Sequence, residues 1–362
     1  MKPESFYLSS RLQKLRSQFD ALKINAFMVT FQPHLRYLSG FSGSSGIGLI
    51  TDCNLYLFTD GRYIAQVKQE TKGWKIFINQ NDLIEEINKQ KLLHLGMRVG
   101  FDGNTVLFNQ FKNLKKSFPK VKFIPEADCI EKIAAVKDGS EIKKIKKAVE
   151  ITDRVFTEIL SYLKPGISEL DVAAEISYRH RKHGAEADGF DTIVASGERS
   201  ALPHGRASDK KLKHGELVTL DLGCVYQGYH SDITRTVILG RAKPEAKKIY
   251  TIVLGAQLSA IESAKSGIKA KDLDGVAREY IKNQGYEKCF RHSLGHGIGL
   301  QIHEQPRLSV MSKAMLETGN VVTIEPGIYI PNFGGVRIED DIVITAGHCE
   351  VLNTSPKELL IL

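Results

Sequence analysis

The stretch 217–239 reads LVTLDLGCVYQGYHSDITRTVIL, and it decides how the second half of the chain folds. Two apolar, β-branched runs flank a short segment that contains Gly, Gln and Tyr, which predicts an antiparallel hairpin. The two runs bring one aspartate each, Asp221 and Asp232. We therefore expect these two carboxylates to face one another across the hairpin.

A second stretch, VVTIEPGIYIPNFGGVRIEDDIVIT at 321–345, repeats this design. Glu325 stands in the place of Asp221, and Glu339 stands in the place of Asp232. Like charges a few Å apart raise one another's pKa, so four converging carboxylates stay ionised together only beside a cation. Strand acids that merely face solvent are the alternative explanation. The repetition of the pattern in two hairpins favours a metal site.

The residues that precede the two hairpins are also related. GISELDVAAEISYRHRKHGA at 166–185 and GIKAKDLDGVAREYIKNQGY at 267–286 align without gaps, and both have helical periodicity. The separation of these two segments in the sequence is nearly that of Asp221 and Glu325. This agreement predicts a tandem repeat in which helices are followed by a hairpin.

The first part of the chain has a different pattern, in which short β-branched runs alternate with helical periodicity. Such alternation predicts a small α/β domain. Strands are expected at 26–30, 46–51, 55–59, 75–78, 98–101 and 121–124, and helices are expected at 12–22, 62–70, 83–90 and 107–117. The segments 35–46 and 58–63 are rich in residues that suit exposed loops.

Asp138 and Glu141 have the spacing of a capping box, which predicts a long amphipathic helix that runs to about Leu163. The domain boundary is placed just before this helix. The sequence thus predicts an α+β protein with an α/β domain at 1–132 and a second domain, which holds the hairpins, at 133–362.

Composition restricts the class of protein. Of the 362 residues, 42% are apolar and 25% are charged, which is typical of a soluble globular chain. The first 20 residues contain charges throughout, so we expect neither a signal peptide nor a membrane span, and a cytoplasmic location. The lysines that produce the net charge of +8 form short clusters without interleaved aromatic residues. Nucleic acid and membranes are therefore not expected as partners.

Three histidines, His292, His296 and His303, occur in the glycine-rich segment RHSLGHGIGLQIHEQP at 291–306. A single histidine is more often a hydrogen-bonded polar group than a ligand, but three on such a segment between two acidic hairpins favour a site. The spacing is not that of an HExxH zinc protease. A further histidine, His204, lies earlier in the chain, in the loop SALPHG just before the first hairpin.

Four carboxylates and one imidazole suit a pair of divalent ions such as Mn²⁺ or Co²⁺ better than one thiolate-bound zinc ion. The five cysteines lack CxxC spacing and are expected to be reduced. Two ions that share a water molecule lower its pKa, so the expected reaction is metal-assisted hydrolysis.

These acids and histidines, with SALPHG, HSLGHGIGLQIHE, TIEPGIYIP and GGVRIEDD around them, resemble the proline-specific dinuclear metallopeptidases of the pita-bread fold. This family includes aminopeptidase P and Xaa-Pro dipeptidase. Residues 35–63 also resemble its creatinase-type N-terminal domain. The resemblance implies a creatinase-like α/β domain at 1–132, a pita-bread catalytic domain with a pseudo-two-fold internal repeat at 133–362, and a homodimer.

The resemblance also implies a set of metal ligands. Asp232 and Glu339 would bridge two divalent ions, Asp221 would complete the coordination of one ion, and His296 and Glu325 that of the other. Mn²⁺ is the expected metal, with Co²⁺ or Zn²⁺ as alternatives.

The same resemblance implies roles for the neighbouring residues. Glu325 would be the general base, His204 and His303 would bind the scissile carbonyl and stabilise the tetrahedral intermediate, and His292 would line the proline pocket. Three further residues would orient the ligands: Arg337, Tyr329 and Thr234. For Arg337 and Thr234 the spacing agrees, because each lies two positions from a ligand acid and so on the same strand face.

The expected activity is that of an Xaa-Pro aminopeptidase, which releases the first residue from peptides with proline in second position. An Xaa-Pro dipeptidase is the alternative, since Arg307 stands where some dipeptidases hold the substrate carboxylate. A non-catalytic peptide-binding module of the same fold is a more remote alternative, because none of the ligand residues is missing.

Overall fold

The computed structural model describes residues 4–362, and the chain divides into two compact units, Met1–Ala134 and Ala135–Leu362. Residues 1–3 of the predicted first domain lie outside the described residues. Within 4–362, every helix is too short or too polar to span a lipid bilayer.

The first unit contains a six-stranded mixed sheet with the order β4-β3-β2-β1-β5-β6. Its strands are β1 (Ala26–Val29), β2 (Ile47–Thr51), β3 (Leu55–Thr59), β4 (Lys75–Ile78), β5 (Arg98–Asp102) and β6 (Lys122–Glu126). Its helices are α1 (Glu4–Arg16), α2 (Phe19–Leu22), α3 (Gln32–Ser39), α4 (Ile64–Glu70), α5 (Leu83–Lys89), α6 (Phe108–Ser117) and α7 (Cys129–Ala135), with a 3₁₀ turn at Gly61–Tyr63. Strands β1, β5 and β6 run parallel to one another.

Two local expectations for this unit were wrong. The predicted helix at 12–22 is two helices, α1 and α2. The predicted exposed loop at 35–46 begins inside α3, where Leu35 and Leu38 are fully buried. These leucines are three positions apart and therefore share one helix face, which packs into the core. Only after Gly40, whose φ of 83° ends the helix, does the segment become the predicted loop.

The second unit contains two copies of one arrangement, a helix pair followed by a hairpin. Its helices are α8 (Gly139–Leu160), α9 (Glu169–Lys182), α10 (Pro244–Ser263) and α11 (Ala270–Asn283), with 3₁₀ turns at Gly197–Ala201 and Glu287–Cys289. Its strands are β7 (Ala187–Asp188), β8 (Ile193–Ser196), β9 (Leu217–Leu222), β10 (Cys224–Tyr226), β11 (Tyr229–His230), β12 (Ile233–Ile238), β13 (Gly295–Gly297), β14 (Glu304–Leu308), β15 (Val321–Ile324), β16 (Gly327–Ile330), β17 (Gly334–Arg337), β18 (Asp340–Ile344) and β19 (Cys349–Val351).

The two central hairpins pair antiparallel, as the sequence predicts. Strand β9 pairs with β12, and β15 pairs with β18. All these strands are buried on both faces. One face of each hairpin packs on its own helix pair through an apolar core, α8 and α9 in the first copy and α10 and α11 in the second. The ends of the hairpins carry the predicted acids.

The capping box at the start of α8 is confirmed. The Asp138 Oδ1 atom accepts hydrogen bonds from the backbone N–H groups of Ser140 (2.9 Å) and Glu141 (3.1 Å). The Glu141 side chain accepts one from the Asp138 N–H in return. The helix ends at Leu160, three residues before the expected end, with the next two residues in a turn.

Replacing the capping aspartate tests its contribution to stability. We expect Asp138→Ala to lower the free energy of unfolding by about 1 kcal/mol, because two N–H groups of the first turn lose their acceptor. Asp138→Asn is the matched control, since its amide oxygen still accepts, and it should retain most of the stability. Urea unfolding followed by far-UV circular dichroism measures both. An equal loss in the two variants would contradict a capping role.

Candidate metal centre

The predicted ligands line one cavity of about 480 Å³ in the second unit. All five of them contribute to its wall: Asp221, Asp232, His296, Glu325 and Glu339. The other predicted site residues that line it are His204, His292, His303, Arg307 and Arg337. A cavity of this size is typical of a small-molecule site.

The acids lie near the ends of the two hairpins. Asp221 is the fifth residue of β9, and its direct cross-strand partner is Thr234, so the expectation that it faces Asp232 was wrong. The reason is the small β10–β11 hairpin between the two long strands, which places Asp232 just before β12 begins. In the second copy, Glu325 directly follows β15 and Glu339 directly precedes β18.

Asp232, His296 and Glu339 come close enough to hold one ion, because each offers a ligand atom within 4.8 Å of the others. All three are buried. The Nε2 atom of His296 is 3.5 Å from Glu325 Oε1 and 3.8 Å from Asp232 Oδ2. These separations are too long for charge-assisted hydrogen bonds and agree with atoms that surround a common cation.

The hydrogen bonds of His296 identify its free nitrogen. Its Nδ1 atom lies 3.1 Å from the carbonyl oxygen of Gly297, which only accepts, so Nδ1 carries the proton. Burial lowers the pKa of His296 to about 4, which keeps the ring neutral. The lone pair of Nε2 is therefore directed towards carboxylates, an arrangement that a metal ion stabilises and that is repulsive without one.

Two of the aspartates have oxygens that a cation would satisfy. The Oδ1 atoms of Asp221 and Asp232 are buried, and no residue in the described part of the chain gives them a hydrogen bond. Buried polar atoms without partners are costly in a folded protein. The donor set therefore fits divalent ions: carboxylate oxygens and one imidazole, with no thiolate.

Burial raises the pKa of all four carboxyl groups, and repulsion from neighbouring carboxylates adds to this for Asp232, Glu325 and Glu339. The shift is large for Asp232 and Glu325, and the pKa of Glu339 rises to about 8. Burial also raises the pKa of Asp221, against the opposing effect of Arg337. The carboxylates therefore need cations, or protons, as counter-charges.

Arg337 and Thr234 hold the acids in place, and each contacts an acid of the other copy. Arg337 Nη2 donates to Asp221 Oδ2 at 2.6 Å, and Thr234 Oγ1 donates to Glu339 Oε2 at 2.6 Å. Arg337 Nε also donates to Thr234 Oγ1 at 3.0 Å. The shared strand faces therefore predicted correctly that Arg337 and Thr234 lie beside the ligand acids. Their hydrogen bonds, however, go to acids of the other hairpin.

Tyr329 connects this network to His292. The phenol oxygen accepts a hydrogen bond from Arg337 Nη1 at 2.8 Å and lies 2.8 Å from His292 Nε2. Because His292 Nδ1 faces the carbonyl oxygen of Ser293 at 2.9 Å, Nδ1 carries the proton and the Tyr329 hydroxyl donates to Nε2. Burial lowers the pKa of His292 to about 3, so its ring is neutral.

The sequence analysis missed one residue that supports a ligand and several residues that line the cavity. Asp341 accepts a hydrogen bond from the Asp232 N–H at 2.9 Å and so orients the backbone beside that ligand. The run IEDD contains Asp341 and was the available signal. Phe190, Ile193 and Arg206 line the cavity wall, and no local pattern distinguishes them, because tertiary packing alone places them there.

The stability of the metal-free protein should fall as pH rises from about 6.5 to about 8. The pKa of Glu339 is about 8 in the fold and near 4.5 otherwise, so the folded chain binds more protons than the unfolded chain in this window and loses stability as they dissociate. Below about pH 6.5 the lowered pKa values of His292 and His296 have the opposite effect on stability, because there the unfolded chain binds more protons at these two histidines than the folded chain does.

Thermal unfolding of chelator-treated protein across this pH range measures the effect. Saturating Mn²⁺ should remove the fall, and Glu339→Gln should flatten it in the metal-free chain. A melting temperature that rises with pH in the metal-free protein would contradict the assignment.

Comparison with known proteins identifies the family. The model of metallopeptidase family M24 matches residues 143–346, and the creatinase/prolidase N-terminal domain model matches residues 11–136. An Xaa-Pro dipeptidase from Pyrococcus furiosus is 41% identical, with 98% of this chain and 100% of that protein aligned.

Two solved structures extend the comparison. An Xaa-Pro dipeptidase from Bacillus anthracis is 42% identical with a TM-score of 0.93, covering 98% of this chain and 100% of that one. An X-Pro aminopeptidase from Thermotoga maritima is 39% identical with a TM-score of 0.89, covering 97% and 99%. The predicted pita-bread fold and peptidase class are thereby confirmed. The chain belongs to metallopeptidase family M24 and is a hydrolase of peptide bonds whose family implies divalent metal ions.

Proposed function

We propose that this chain is an Xaa-Pro dipeptidase, which hydrolyses the bond between a first residue and a C-terminal proline. The main support is that relatives named Xaa-Pro dipeptidase align with it over nearly the full length of both chains. The sequence analysis favoured an Xaa-Pro aminopeptidase, and these relatives support its alternative better. Because the chain belongs to a peptidase family and keeps every predicted ligand, a non-catalytic binding module is no longer a useful explanation.

In this proposal five residues would hold two divalent ions in the cavity. Asp232 and Glu339 would be ligands shared by both ions, Asp221 would be a further ligand of one, and His296 and Glu325 would be further ligands of the other. When bound, the ions polarise the peptide carbonyl and lower the pKa of a water molecule. The buried oxygens without hydrogen bonds and the free Nε2 of His296 support this assignment.

Glu325 accepts the proton of the attacking water and passes it to the leaving proline nitrogen. Its carboxyl group is placed for this because it lines the cavity, with Oε1 3.5 Å from Nε2 of the proposed ligand His296. Thr323 Oγ1 lies 3.4 Å from Glu325 Oε1 and limits its orientation.

His204 and His303 lie at the cavity wall, where they donate hydrogen bonds to the scissile carbonyl as negative charge develops on it. The His303 ring packs edge-on against the His296 ring, with centroids 4.4 Å apart, which fixes its position beside the ligand. Burial and then the nearby Arg307 lower the pKa of His303, so its ring is neutral at physiological pH.

Selection of proline follows from its chemistry. An Xaa-Pro bond offers no N–H, so recognition depends on the fit of the ring and on the two charged ends of the substrate. His292 is held by Tyr329 and presents a neutral ring to the cavity, while Phe190 and Ile193 add apolar surface. These residues form the proposed proline pocket.

Arg307 is the proposed partner of the C-terminal carboxylate of a dipeptide. Its guanidinium is exposed at the cavity wall and forms no ion pair with the acids of the metal centre in the described chain. Guanidinium and carboxylate groups can form two parallel hydrogen bonds, which would place the proline end of the substrate. Xaa-Pro aminopeptidase activity remains the second candidate, favoured by the similar structure from Thermotoga maritima.

The proposal also includes Mn²⁺ as the activating ion, with Co²⁺ or Zn²⁺ as alternatives, and a homodimer, as the resemblance implies. A cytoplasmic location, expected from the sequence, is part of it as well. Nucleic acid and membranes are not part of the proposal.

Replacing the general base tests the chemical step. We expect Glu325→Ala to lower kcat by about 10²-fold to 10⁴-fold, because the proton acceptor is lost, with a much smaller effect on peptide binding. Steady-state kinetics with Mn²⁺ and calorimetric titration with an Xaa-Pro dipeptide separate the two quantities. Because Glu325 is also a proposed ligand, the metal content of the variant is measured as a control. A loss of kcat/KM that arises only through KM would contradict the role.

A substrate series tests the choice of activity. Xaa-Pro dipeptides should be cleaved faster than Xaa-Pro-Yaa tripeptides in the presence of Mn²⁺, Co²⁺ or Zn²⁺. Arg307→Met should raise KM for dipeptides by about 10-fold to 100-fold, as expected from losing a hydrogen bond to a charged group. Cleavage of an Xaa-prolinamide, which lacks the carboxylate, should change little.

Arg291→Met is the matched control for Arg307→Met, since Arg291 is exposed and lies outside the cavity lining. Faster cleavage of tripeptides would favour the aminopeptidase. An equal effect of Arg307→Met on the dipeptide and on the amide would contradict the carboxylate contact.

A further inference from the structure

The first unit contains a second group of metal-ligating side chains, separate from the peptidase centre. His34, Asp102 and Glu131 each offer a ligand atom, and these three atoms lie within 4.8 Å of one another. The side chains of His34 and Asp102 are almost completely buried, with 2% and 7% exposed, while Glu131 is half-buried. Nothing in the peptidase reaction uses this group.

The topology of the sheet brings these residues together. His34 is in α3 after β1, Asp102 is the last residue of β5, and Glu131 is in α7 after β6. Strands β1, β5 and β6 are neighbours and run parallel, so their carboxyl ends meet at one edge of the sheet. The carboxyl ends of parallel strands are the usual position of ligand sites in α/β sheets.

The contact between His34 and Asp102 is longer than a charge-assisted hydrogen bond. His34 Nδ1 lies 3.3 Å from Asp102 Oδ2, whereas charge-assisted hydrogen bonds are about 2.7–2.9 Å long. Although this nitrogen is buried, no residue in 4–362 provides it with a hydrogen bond of acceptable geometry. Two ligands of one tetrahedral zinc ion, each bound at about 2.0–2.1 Å, lie about 3.3 Å apart.

Asp102 is already oriented for such a role. Its Oδ1 atom accepts a hydrogen bond from the Asn104 N–H at 2.9 Å, and its Oδ2 atom accepts one from Thr105 Oγ1 at 3.0 Å. Hydrogen bonds of this kind fix the direction of a ligating carboxylate.

The group supplies one imidazole and two carboxylates as ligands. This combination suits a borderline divalent ion such as Zn²⁺ and balances its charge.

We propose that His34, Asp102 and Glu131 bind one divalent transition-metal ion in the first unit, independently of the peptidase centre. The ion connects α3, the end of β5 and α7, and so stabilises this unit. A protein-only ion pair between His34 and Asp102 is the competing explanation, and it predicts no response to metal.

Zinc binding by the full chain tests the proposal. Wild type, His34→Gln and Glu131→Gln are stripped with a chelator and dialysed against Zn²⁺, and the bound metal is measured by mass spectrometry. We expect wild type to hold one more Zn²⁺ per chain than either variant. Glu126→Gln is the matched control, because Glu126 is another half-buried acid of this unit outside the group, and it should bind as much Zn²⁺ as wild type.

Fluorescence provides a second readout that is specific to this unit. Trp74 is the only tryptophan of the chain and is buried in the first unit. Zn²⁺ should raise the melting temperature reported by Trp74 in wild type and in Glu126→Gln, but not in the other two variants. The Mn²⁺-activated peptidase kcat/KM should be unchanged in all of them.

Equal zinc content in wild type and both variants, together with equal zinc-dependent shifts in melting temperature, would overturn the proposal. If His34→Gln does not fold, the half-exposed Glu131→Gln still decides the matter. Because zinc in the peptidase centre contributes equally to every chain compared, the result does not depend on the proposed peptidase activity.

Discussion

The structure of the second unit depends on holding several buried carboxylates together. Burial and mutual repulsion make ionised Asp232, Glu325 and Glu339 unfavourable neighbours. Two contacts between the hairpins hold the acids in spite of this, one from Arg337 to Asp221 and one from Thr234 to Glu339. The fold therefore maintains a site in which the carboxylates can all be ionised only when cations bind. That requirement connects the architecture with the chemistry of a metallopeptidase.

Internal duplication makes this arrangement possible. A single helix pair with one hairpin would supply only two acids, with no basic group from a second copy to orient them. With two copies, each hairpin orients an acid of the other, and the fully buried Arg235 of the first copy pairs with Asp340 of the second at 2.7 Å. Neither half of the site can therefore be complete without the other. The glycine-rich segment that contains His296 then supplies the proposed nitrogen ligand from outside the two hairpins.

In the first unit, too, residues that are distant in sequence meet at one candidate site. Parallel strands end at one edge of the sheet, and residues that are distant in sequence meet there. His34 Nδ1 and Asp102 Oδ2 are 3.3 Å apart, although His34 is in α3 and Asp102 is in β5. Neither the loop composition around His34 nor the spacing of the acids indicates this contact, because the order of strands in the sheet produces it.

The sequence by itself determined the class of the fold, the duplicated hairpins, the capping box of α8 and the set of candidate ligands. Local periodicity, cap chemistry and repeated motifs carry that information, because they depend on residues close together in the chain. Two predictions from the sequence were wrong: an exposed loop where the buried helix around Leu35 lies, and direct pairing of Asp221 with Asp232. Burial and strand register depend on distant parts of the chain. Only the tertiary structure decided which acid each of Arg337 and Thr234 contacts, which nitrogen of His296 is free, and that Asp341, Phe190 and Arg206 join the site. The contacts of Arg337 and Thr234 arise where two hairpins pack together, and no short stretch of sequence specifies such packing.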